Sequence, residues 1–387
     1  MSATRSSPKD ATYPESKRQA TEPSDAPSGT EWDLFEEIQS TAHEKLVICN
    51  EPQVGLRAII CIHSTLLGPA NGGVRMYPYA STQDAMRDVM RLSEAMTYKW
   101  SAAGEHRGGG KAVIIGDPVR DKTEALLRTF GRFVNELRGE YYVGEDVGIT
   151  LEDMEVIHLE TDYVATLSLE AGGLGDIAPA TACGAIHAMR ACAERVWGSR
   201  ELDGRSVALQ GLGACGSVAL RQLLEAGARV QVTDIDPARI EAAVREHGVE
   251  ALEPSAVYDA PVDIFAPFAL GAVINDDTVP RLKAKVVAGS ANNVFAAERH
   301  AGALQDLGIV YAPDFIANAG GAIFDAEQFH KGGFNANRVA RSIARIEDRV
   351  KEVFALADRD GVTYQAAAYC LAERRLTALA HLRHRRS

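Results

Sequence analysis

The chain has 387 residues, 46% of them hydrophobic and 24% charged, and its 41 basic against 53 acidic side chains leave a formal net charge of −12. At roughly 100–200 residues per domain, this length implies two or three domains with a substantial core and excludes a chain disordered throughout. So acidic a body repels polyphosphate, which argues against nucleic acid or an anionic membrane as the main partner and for a small-molecule site.

Residues 1–30 contain no Leu, Ile, Val or Phe, and their four basic and four acidic side chains sit among Ser, Thr and Pro. Such a segment cannot bury enough apolar area to offset its ordering entropy, so a disordered tail is expected. Its acidic residues count against a transit peptide. Leu34, Phe35 and Ile38 mark a short amphipathic helix, and Leu56–Ile62 reads as a strand. Helical stretches at Ser81–Tyr98 and Lys122–Leu137 then alternate with strand-like runs at Ala112–Ile115 and Tyr141–Val143.

In the second half, Val207–Gln210 reads as a strand, Gly211–Gly216 opens a helix, and Arg229–Asp234 is the next strand, which together make one βαβ unit. Val262–Phe265, Val286–Ala288 and Ile309–Ala312 supply later strands of a parallel sheet. Val339, Ile343, Ile346, Val350 and Val353 recur at helical spacing, and a further helix is expected to about Leu382. The basic run Arg383–Arg386 reads as a solvated tail rather than a nucleic-acid contact. The six cysteines (Cys49, Cys61, Cys183, Cys192, Cys215, Cys370) form no Cys-x-x-Cys pair and have no His at zinc-finger spacing, so reduced thiols and no structural metal are expected. No run of about 18 apolar residues and no leader h-region occurs, which suggests a cytoplasmic protein without a membrane span.

Gly211, Gly213 and Gly216 make Gly-x-Gly-x-x-Gly between a strand and a helix, with Asp234 ending the following strand. In that context the glycines permit a tight turn, close approach of the backbone to a pyrophosphate, and helix packing on the strand. Asp234 would accept hydrogen bonds from the adenosine ribose and repel a 2′-phosphate, which favours NAD over NADP. The alternative for Asp234 is a turn residue in Thr-Asp-Ile-Asp-Pro.

Three glycines precede Lys111 at the start of an apolar strand, Lys99 lies upstream, and Gly68–Arg75 reads as another glycine-rich loop. Asp146 follows a probable strand. A lysine entering a dry cleft has its pKa lowered and can then polarise a carbonyl or deprotonate a water. Taken singly, each lysine reads more readily as a solvated surface charge.

The combination becomes interpretable through longer motifs. Gly68-Pro-Ala-Asn-Gly-Gly-Val-Arg75, Met96-Thr-Tyr-Lys99, Gly108-Gly-Gly-Lys-Ala-Val-Ile-Ile-Gly-Asp-Pro118, Glu145-Asp-Val-Gly148, Asp263–Pro267, Ala288–Asn293 and Tyr311–Gly321 resemble the leucine, phenylalanine, valine and glutamate dehydrogenase family, most closely its leucine branch. The likeness runs from about Trp32 to Arg375. It implies reversible oxidative deamination of an L-amino acid to a 2-oxo acid and ammonium, without a metal. By resemblance, Lys99 binds the substrate α-carboxylate, Lys111 activates the water that attacks the imine, and Asp146 moves protons at the amine nitrogen. Gly72 and Gly73 line the substrate cleft, while Thr181 and Asn293 contact the nicotinamide half of NAD. The resemblance also implies a two-domain α/β fold. Its N-terminal oligomerisation and substrate domain spans residues 31–180 and is completed by helices in 337–387. A doubly wound Rossmann domain spans residues 181–336, a cleft lies between the two, and the chain assembles as a homo-oligomer.

Several positions depart from the leucine-specific pattern. Asn71 stands where leucine-specific members carry a leucine, Asp325 where apolar residues or serine are usual, and Gly144 and Ala322 are small. An ionised aspartate facing an isobutyl group would cost on the order of several kcal/mol without a partner. The expectation is therefore a roomier pocket and a substrate with a polar, cationic or bulky side chain such as arginine, lysine, ornithine, tryptophan or tyrosine. The alternatives are a branched-chain substrate, with Asp325 pointing away from the cleft or paired with Arg107, and a catalytically inactive NAD-binding regulatory subunit. Glu105, His106 and Arg107 are unusual before the triple glycine, and the sequence gives them no role.

Overall fold

The computed structural model describes residues 33–269 and 271–380, so the expected tail at 1–30 and the basic run from Arg383 lie outside the described residues. The first half runs α1 (Leu34–Thr41), β1 (Lys45–Glu51), β2 (Leu56–Ser64), β3 (Ala70–Tyr77), α2 (Thr82–Ala103), β4 (Gly108–Ile115), α3 (Glu124–Glu136), β5 (Tyr141–Glu145) and α4 (Leu151–His158). The second runs α5 (Ala178–Trp197), β6 (Ser206–Gln210), α6 (Ala214–Glu225), β7 (Arg229–Thr233), α7 (Pro237–His247), β8 (Glu250–Ala251), β9 (Ile264–Pro267), β10 (Val286–Val287), α8 (Arg299–Asp306), β11 (Val310–Tyr311), α9 (Asp314–Ala317), α10 (Gly320–Ala326), α11 (Ala336–Asp360) and α12 (Tyr364–Leu379).

The first sheet has the order β1-β2-β4-β3-β5, antiparallel from β1 to β4 and parallel from β4 to β5. Side chains alternate across it. Ala70, Val74, Ala112, Ile114, Tyr141 and Val143 enter one apolar core with Leu126, Phe130 and Val134 of α3 and Met154 and Ile157 of α4. The period of two puts Asn71, Gly73, Arg75, Gly109, Lys111, Tyr142 and Gly144 on the opposite face. That face is covered by α2. The helix is capped at its start by Ser81, whose Oγ accepts the Asp84 N–H at 3.1 Å, and ended by Gly104 in the left-handed region.

Two glycine-rich segments differ from expectation. Gly68–Arg75, read from sequence as a loop, mostly forms the interior strand β3, and the triple glycine belongs to β4 instead of preceding it. The reason is close backbone approach, which uses glycine in strands as well as in turns. A Cβ on Gly109 would lie 2.3 Å from the Thr97 amide nitrogen and 2.5 Å from the Ser93 carbonyl oxygen, both backbone atoms of α2.

The second sheet is wholly parallel, with the order β11-β10-β9-β6-β7-β8. Val207, Leu209, Ile264, Ala266 and Val286 point into a core shared with α5, α6 and α11. Ala208, Phe265, Val287 and Tyr311 enter a second core on the other face. Burial on both faces is what continuous apolar strands require, and the architecture is a two-domain α/β fold with a Rossmann-type sheet. The C-terminal helix returns to the first half. Ser101 Oγ donates to the Ala372 carbonyl at 2.7 Å, and Arg375 donates to the Trp100 carbonyl at 3.2 Å.

The packing of α2 on β4 has a direct test. Gly109→Ala should destabilise the protein by about 3 kcal/mol or more, because neither backbone atom can yield. Gly302→Ala in α8 meets nothing within 4 Å and should stabilise by about 0.5–1 kcal/mol. Urea unfolding of the two variants checks the contrast, and near-wild-type stability of Gly109→Ala would show that the helix is not held by this contact.

Candidate active site

The exposed-core alternation of the first sheet brings charge to the face under α2. Lys111 on β4 is 7% exposed, and its Nζ lies 3.0 Å from Asp146 Oδ2, just beyond the end of β5. Arg75 of β3 donates from Nε to the same oxygen at 3.1 Å and from Nη1 to Asp88 Oδ2 at 3.0 Å. Tyr79 donates to that Asp88 oxygen at 2.6 Å. Burial opposes ionisation of Asp146, but Lys111 and Arg75 outweigh it and hold the carboxyl below its ordinary range. Lys99, one turn before the end of α2, is lowered to about 8 by burial and by repulsion from Lys111, against the attraction of Asp314 and Asp146.

Asp314 is the group the sequence reading gave no role. It is 7% exposed and its Oδ2 accepts the Val294 N–H at 3.0 Å while Oδ1 accepts the Phe315 N–H at 2.6 Å. Burial nevertheless raises its pKa, with Lys99 acting in the other direction. The Asn293 backbone also bonds to it, and Asn293 holds φ +50°. Asparagine adopts this left-handed region more readily than other non-glycine residues. Both Asp314 and Arg75 lie inside motifs quoted above, but their partners are distant in sequence and no local spacing announces them.

The glycine turn of the second sheet fits a dinucleotide. Helix α6 begins at Ala214 with Gly213 as its N-cap and no side chain capping it, so its first N–H groups are free for an anion. Gly211 has φ +103°, and a Cβ on Gly216 would lie 1.9 Å from the Gly211 carbonyl oxygen. At Gly213 a Cβ would meet only Arg239 Nη1, at 3.8 Å, which leaves the mouth of the turn open. Asp234 follows β7 and its Oδ2 accepts the Leu212 N–H at 2.6 Å. Thr181, near the start of α5, interacts with the Cys215 thiol of this turn, and its hydroxyl oxygen is 2.3 Å from where a Cβ on Gly321 would be.

Residues 43–167 match the model of the Glu/Leu/Phe/Val dehydrogenase dimerisation domain, and residues 231–383 that of glutamate/leucine/phenylalanine/valine dehydrogenase. The chain belongs to the Glu/Leu/Phe/Val dehydrogenase family. It is 46% identical to leucine dehydrogenase of Geobacillus stearothermophilus, over 90% of this chain and 94% of that one. It is 44% identical to phenylalanine dehydrogenase of Bacillus thermotolerans, over 91% and 92% respectively. The crystal structure of L-tryptophan dehydrogenase from Nostoc punctiforme superimposes with a TM-score of 0.80 at 40% identity, covering 90% of this chain and 99% of that one. As a member of this family, the protein is an amino acid dehydrogenase.

The residues expected to shape the substrate cleft of this dehydrogenase are not all alike in position. A Cβ on Gly73 would lie 2.9 Å from the Asp146 Cβ, whereas on Gly72 it would meet the Gly110 carbonyl and Met96. Only Gly73 borders the acidic group. Asn71 lies beside Tyr142 in register and is 3% exposed, with its side-chain nitrogen lacking a hydrogen-bond partner among the described residues. The room expected at Gly144 is partly taken, since a Cβ there would lie 2.8 Å from Thr166 Oγ1. Ala322 sits at mid-depth in α10, two residues into the helix.

Asp325 of α10 receives a hydrogen bond from Gln328 Nε2 at 3.3 Å, and Gln328 also donates to the Ala165 carbonyl. Burial pushes its carboxyl well up, Glu145 adds to the rise, and Arg107 opposes it without forming an ion pair. The Arg107 guanidinium instead stacks over Phe329 at 4.4 Å and Tyr142 at 5.3 Å. Burial raises the proton affinity of Glu105, and His106 Nδ1 accepts from Arg375 Nη2 at 3.3 Å in the tautomer that leaves Nδ1 unprotonated.

Confining Lys99 near a second ammonium carries a cost in stability. Its folded pKa of about 8 lies below the ordinary 10.5, so between these values the unfolded chain binds more protons and stability rises with pH. Below pH 8 the full penalty applies, up to about 3 kcal/mol. Lys99→Met should therefore stabilise the protein by that order at pH 7, with the gain shrinking as pH climbs toward 10. Urea unfolding across this range checks it, and an unchanged pH 7 midpoint would mean that water solvates the ammonium fully.

Proposed function

We propose that this dehydrogenase catalyses the reversible NAD-dependent oxidative deamination of an L-amino acid to the 2-oxo acid and ammonium. The observation that carries the reading is the convergence of Lys99, Lys111 and Asp146 on one face of the first sheet. When bound, the nicotinamide ring accepts a hydride from the substrate α-carbon. Lys99 holds the α-carboxylate, whose charge restores the proton affinity that burial and Lys111 take from its Nζ. Asp146, kept ionised by Lys111 and Arg75, takes a proton from the substrate ammonium, since the amine must be neutral before Cα is oxidised. Lys111 Nζ then holds the water that adds to the imine carbon and stabilises the developing oxyanion. Arg75 fixes the shared Asp146 oxygen, and Asp314 steadies the cationic end of α2.

The cofactor assignment rests on Asp234, whose carboxylate suits ribose hydroxyls and repels a 2′-phosphate. Assembly is as a homo-oligomer through the segment that matches the dimerisation-domain model, which is supported by the apolar Phe35 and Ile48, 71% and 59% exposed near the edge strand β1.

For the substrate, the polar lining supports a side chain that forms hydrogen bonds or carries a cation. Asn71 leaves a buried donor unmatched, which a ligand acceptor would relieve, and Asp325 in its neutral form both donates and accepts. Leucine is the second reading, favoured by the 46% identity to a leucine dehydrogenase and by the raised proton affinity of Asp325, which lowers the cost of an apolar neighbour.

Lys111→Met should lower kcat by about 10²–10⁴-fold while NADH binding, followed by fluorescence, stays within twofold. Equal loss of both would reassign the lysine to cofactor binding, and cofactor binding by the wild type without turnover of any amino acid would favour a regulatory subunit. In a panel of L-amino acids, tryptophan, tyrosine, lysine, ornithine or arginine should exceed leucine in kcat/KM, and Asp325→Val should shift the ratio toward leucine by at least about tenfold. A cationic substrate would ionise Asp325 and release a proton on binding, whereas an indole or phenol would not. Leucine and valine as the best wild-type substrates would overturn the polar pocket.

A further inference from the structure

Arg75 is shared between two acids. Its Nε donates to Asp146 Oδ2 at 3.1 Å and its Nη1 to Asp88 Oδ2 at 3.0 Å, so one planar guanidinium joins the acid beyond β5 to the second turn of α2. The three side chains are 23%, 21% and 17% exposed, and water screens their interaction weakly. Asp88 and Lys99 lie about three turns apart on one face of α2, so the helix that brings Lys99 to one end of the site brings Asp88 to the other. Asp88 has two further donors. Tyr79, just beyond β3, donates to the Oδ2 that Arg75 uses, at 2.6 Å, and Arg91 donates to Oδ1 at 2.8 Å. Arg91 is more than half exposed and contributes little, whereas Tyr79 competes with Arg75 for one oxygen. On the other side, Asp146 Oδ2 carries two cationic partners, Arg75 Nε and Lys111 Nζ. Lys99 also attracts Asp146, and the neighbouring Glu145 repels it. A carboxylate so held stays ionised but resists a proton, because protonation would leave its cations without an anion. Burial opposes the charge of Arg75, which Asp146 and Asp88 together sustain.

We propose that Asp88 is a positioning residue for the reaction, the anion that keeps the Arg75 guanidinium paired when Asp146 takes the proton of the substrate ammonium. The inference rests on the reading of Asp146 as the base and deepens it. In that step an N–H bond of the ammonium breaks, the proton bonds to a carboxylate oxygen of Asp146, and the electron pair stays on nitrogen. With Asp88 in place, Arg75 passes from a bond shared by two carboxylates to a bond with one, and its charge is not stranded. Without Asp88, Asp146 must balance Arg75 and Lys111 alone, so it holds a proton less readily and transfer from the substrate slows. Tyr79 acts in the opposite sense. Its hydroxyl occupies part of the Asp88 oxygen and so limits the pull of Asp88 on Arg75.

Stopped-flow rates of NADH formation, with NAD and the best L-amino acid of the panel at saturation, test this. Asp88→Asn should slow NADH formation about tenfold or more, with KM for both substrates within about threefold of the wild type. Asp88→Glu, which restores the anion, should regain most of the lost rate. In the Arg75→Gln background, Asp88→Asn should slow the reaction by less than about twofold, since the cation through which Asp88 acts is gone. Tyr79→Phe should leave the rate at or above that of the wild type, because Arg75 then leans further toward Asp88. A merely structural cluster would instead give effects that multiply, that raise KM as well, and that glutamate does not relieve. The inference fails if a folded Asp88→Asn keeps the wild-type rate, or if its loss persists in full in the Arg75→Gln background. If Asp88→Asn does not fold, Tyr79→Phe decides: a rate at or above the wild type sustains the inference, and a loss of about fivefold or more overturns it. Asp146→Asn separates this failure from that of the underlying reading. A rate within about tenfold of the wild type would overturn Asp146 as the base, whereas a loss of about a hundredfold or more keeps the base and leaves Asp88 to be judged by its own variants.

Discussion

Two ammonium groups held within one cleft repel each other, and the arrangement of acids around them decides what each lysine can do. Asp146 sits directly on Lys111 and is shared with Arg75, so that lysine is neutralised locally and its partner stays ionised. Among the described residues, none forms such an ion pair with Lys99. Burial, helped by repulsion from Lys111, outweighs the attraction of Asp314 and Asp146, and its proton affinity falls to about 8. The asymmetry divides labour without any difference in residue type. In the mechanism we propose, one lysine is locked to a base at the reacting centre, while the other awaits the anion that a substrate carboxylate provides.

This arrangement needs a surface flat enough to bring β3, β4, β5 and α2 within a few ångströms, and the glycines supply it. Without side chains at Gly109 and Gly73, the backbone of α2 approaches β4, and the end of β5 approaches β3 closely enough for Asp146 to reach Lys111. The packing and the electrostatics are thus one constraint. A larger residue at either place would push apart the elements that carry the charges. The tie from α12 to the end of α2, through Ser101 and Arg375, fixes the helix that carries Lys99 from its other side.

Much of this is legible in the sequence, unevenly and for physical reasons. The βαβ unit around Gly211 announces itself because strand, turn, helix and acidic residue fall in one short stretch, where each local preference agrees with the fold. Lys99, Lys111 and Asp146 were named through resemblance, since each taken alone looks like a surface charge. The strand identity of Gly68–Arg75 was missed because glycine signals both a turn and a close approach, and only the neighbouring strand tells which. Strand β1 was also missed, as an edge strand half exposed along its length with no alternation to mark it. Arg75 and Asp314 act through partners that no spacing rule connects, 71 residues apart for Arg75 and Asp146.

The proposed substrate pocket shows how burial changes the meaning of a charged residue. From sequence, Asp325 is an anion that an isobutyl group would strand at considerable cost. Within the fold it is half-buried, feels the charge of Glu145, and has an arginine nearby that stacks on the rings of Phe329 and Tyr142 instead of pairing with it. The free carboxyl is therefore driven toward its neutral form, which hydrogen-bonds instead of demanding a counter-ion. That relaxes the exclusion of apolar substrates but creates a preference of another kind, because Asn71, Thr166 and Gln328 add further polar atoms around the same β3, β5 and α10 surfaces. If these residues line the substrate pocket, as we propose, it gains most from a ligand that completes its hydrogen bonds, and least from one that only fills its volume.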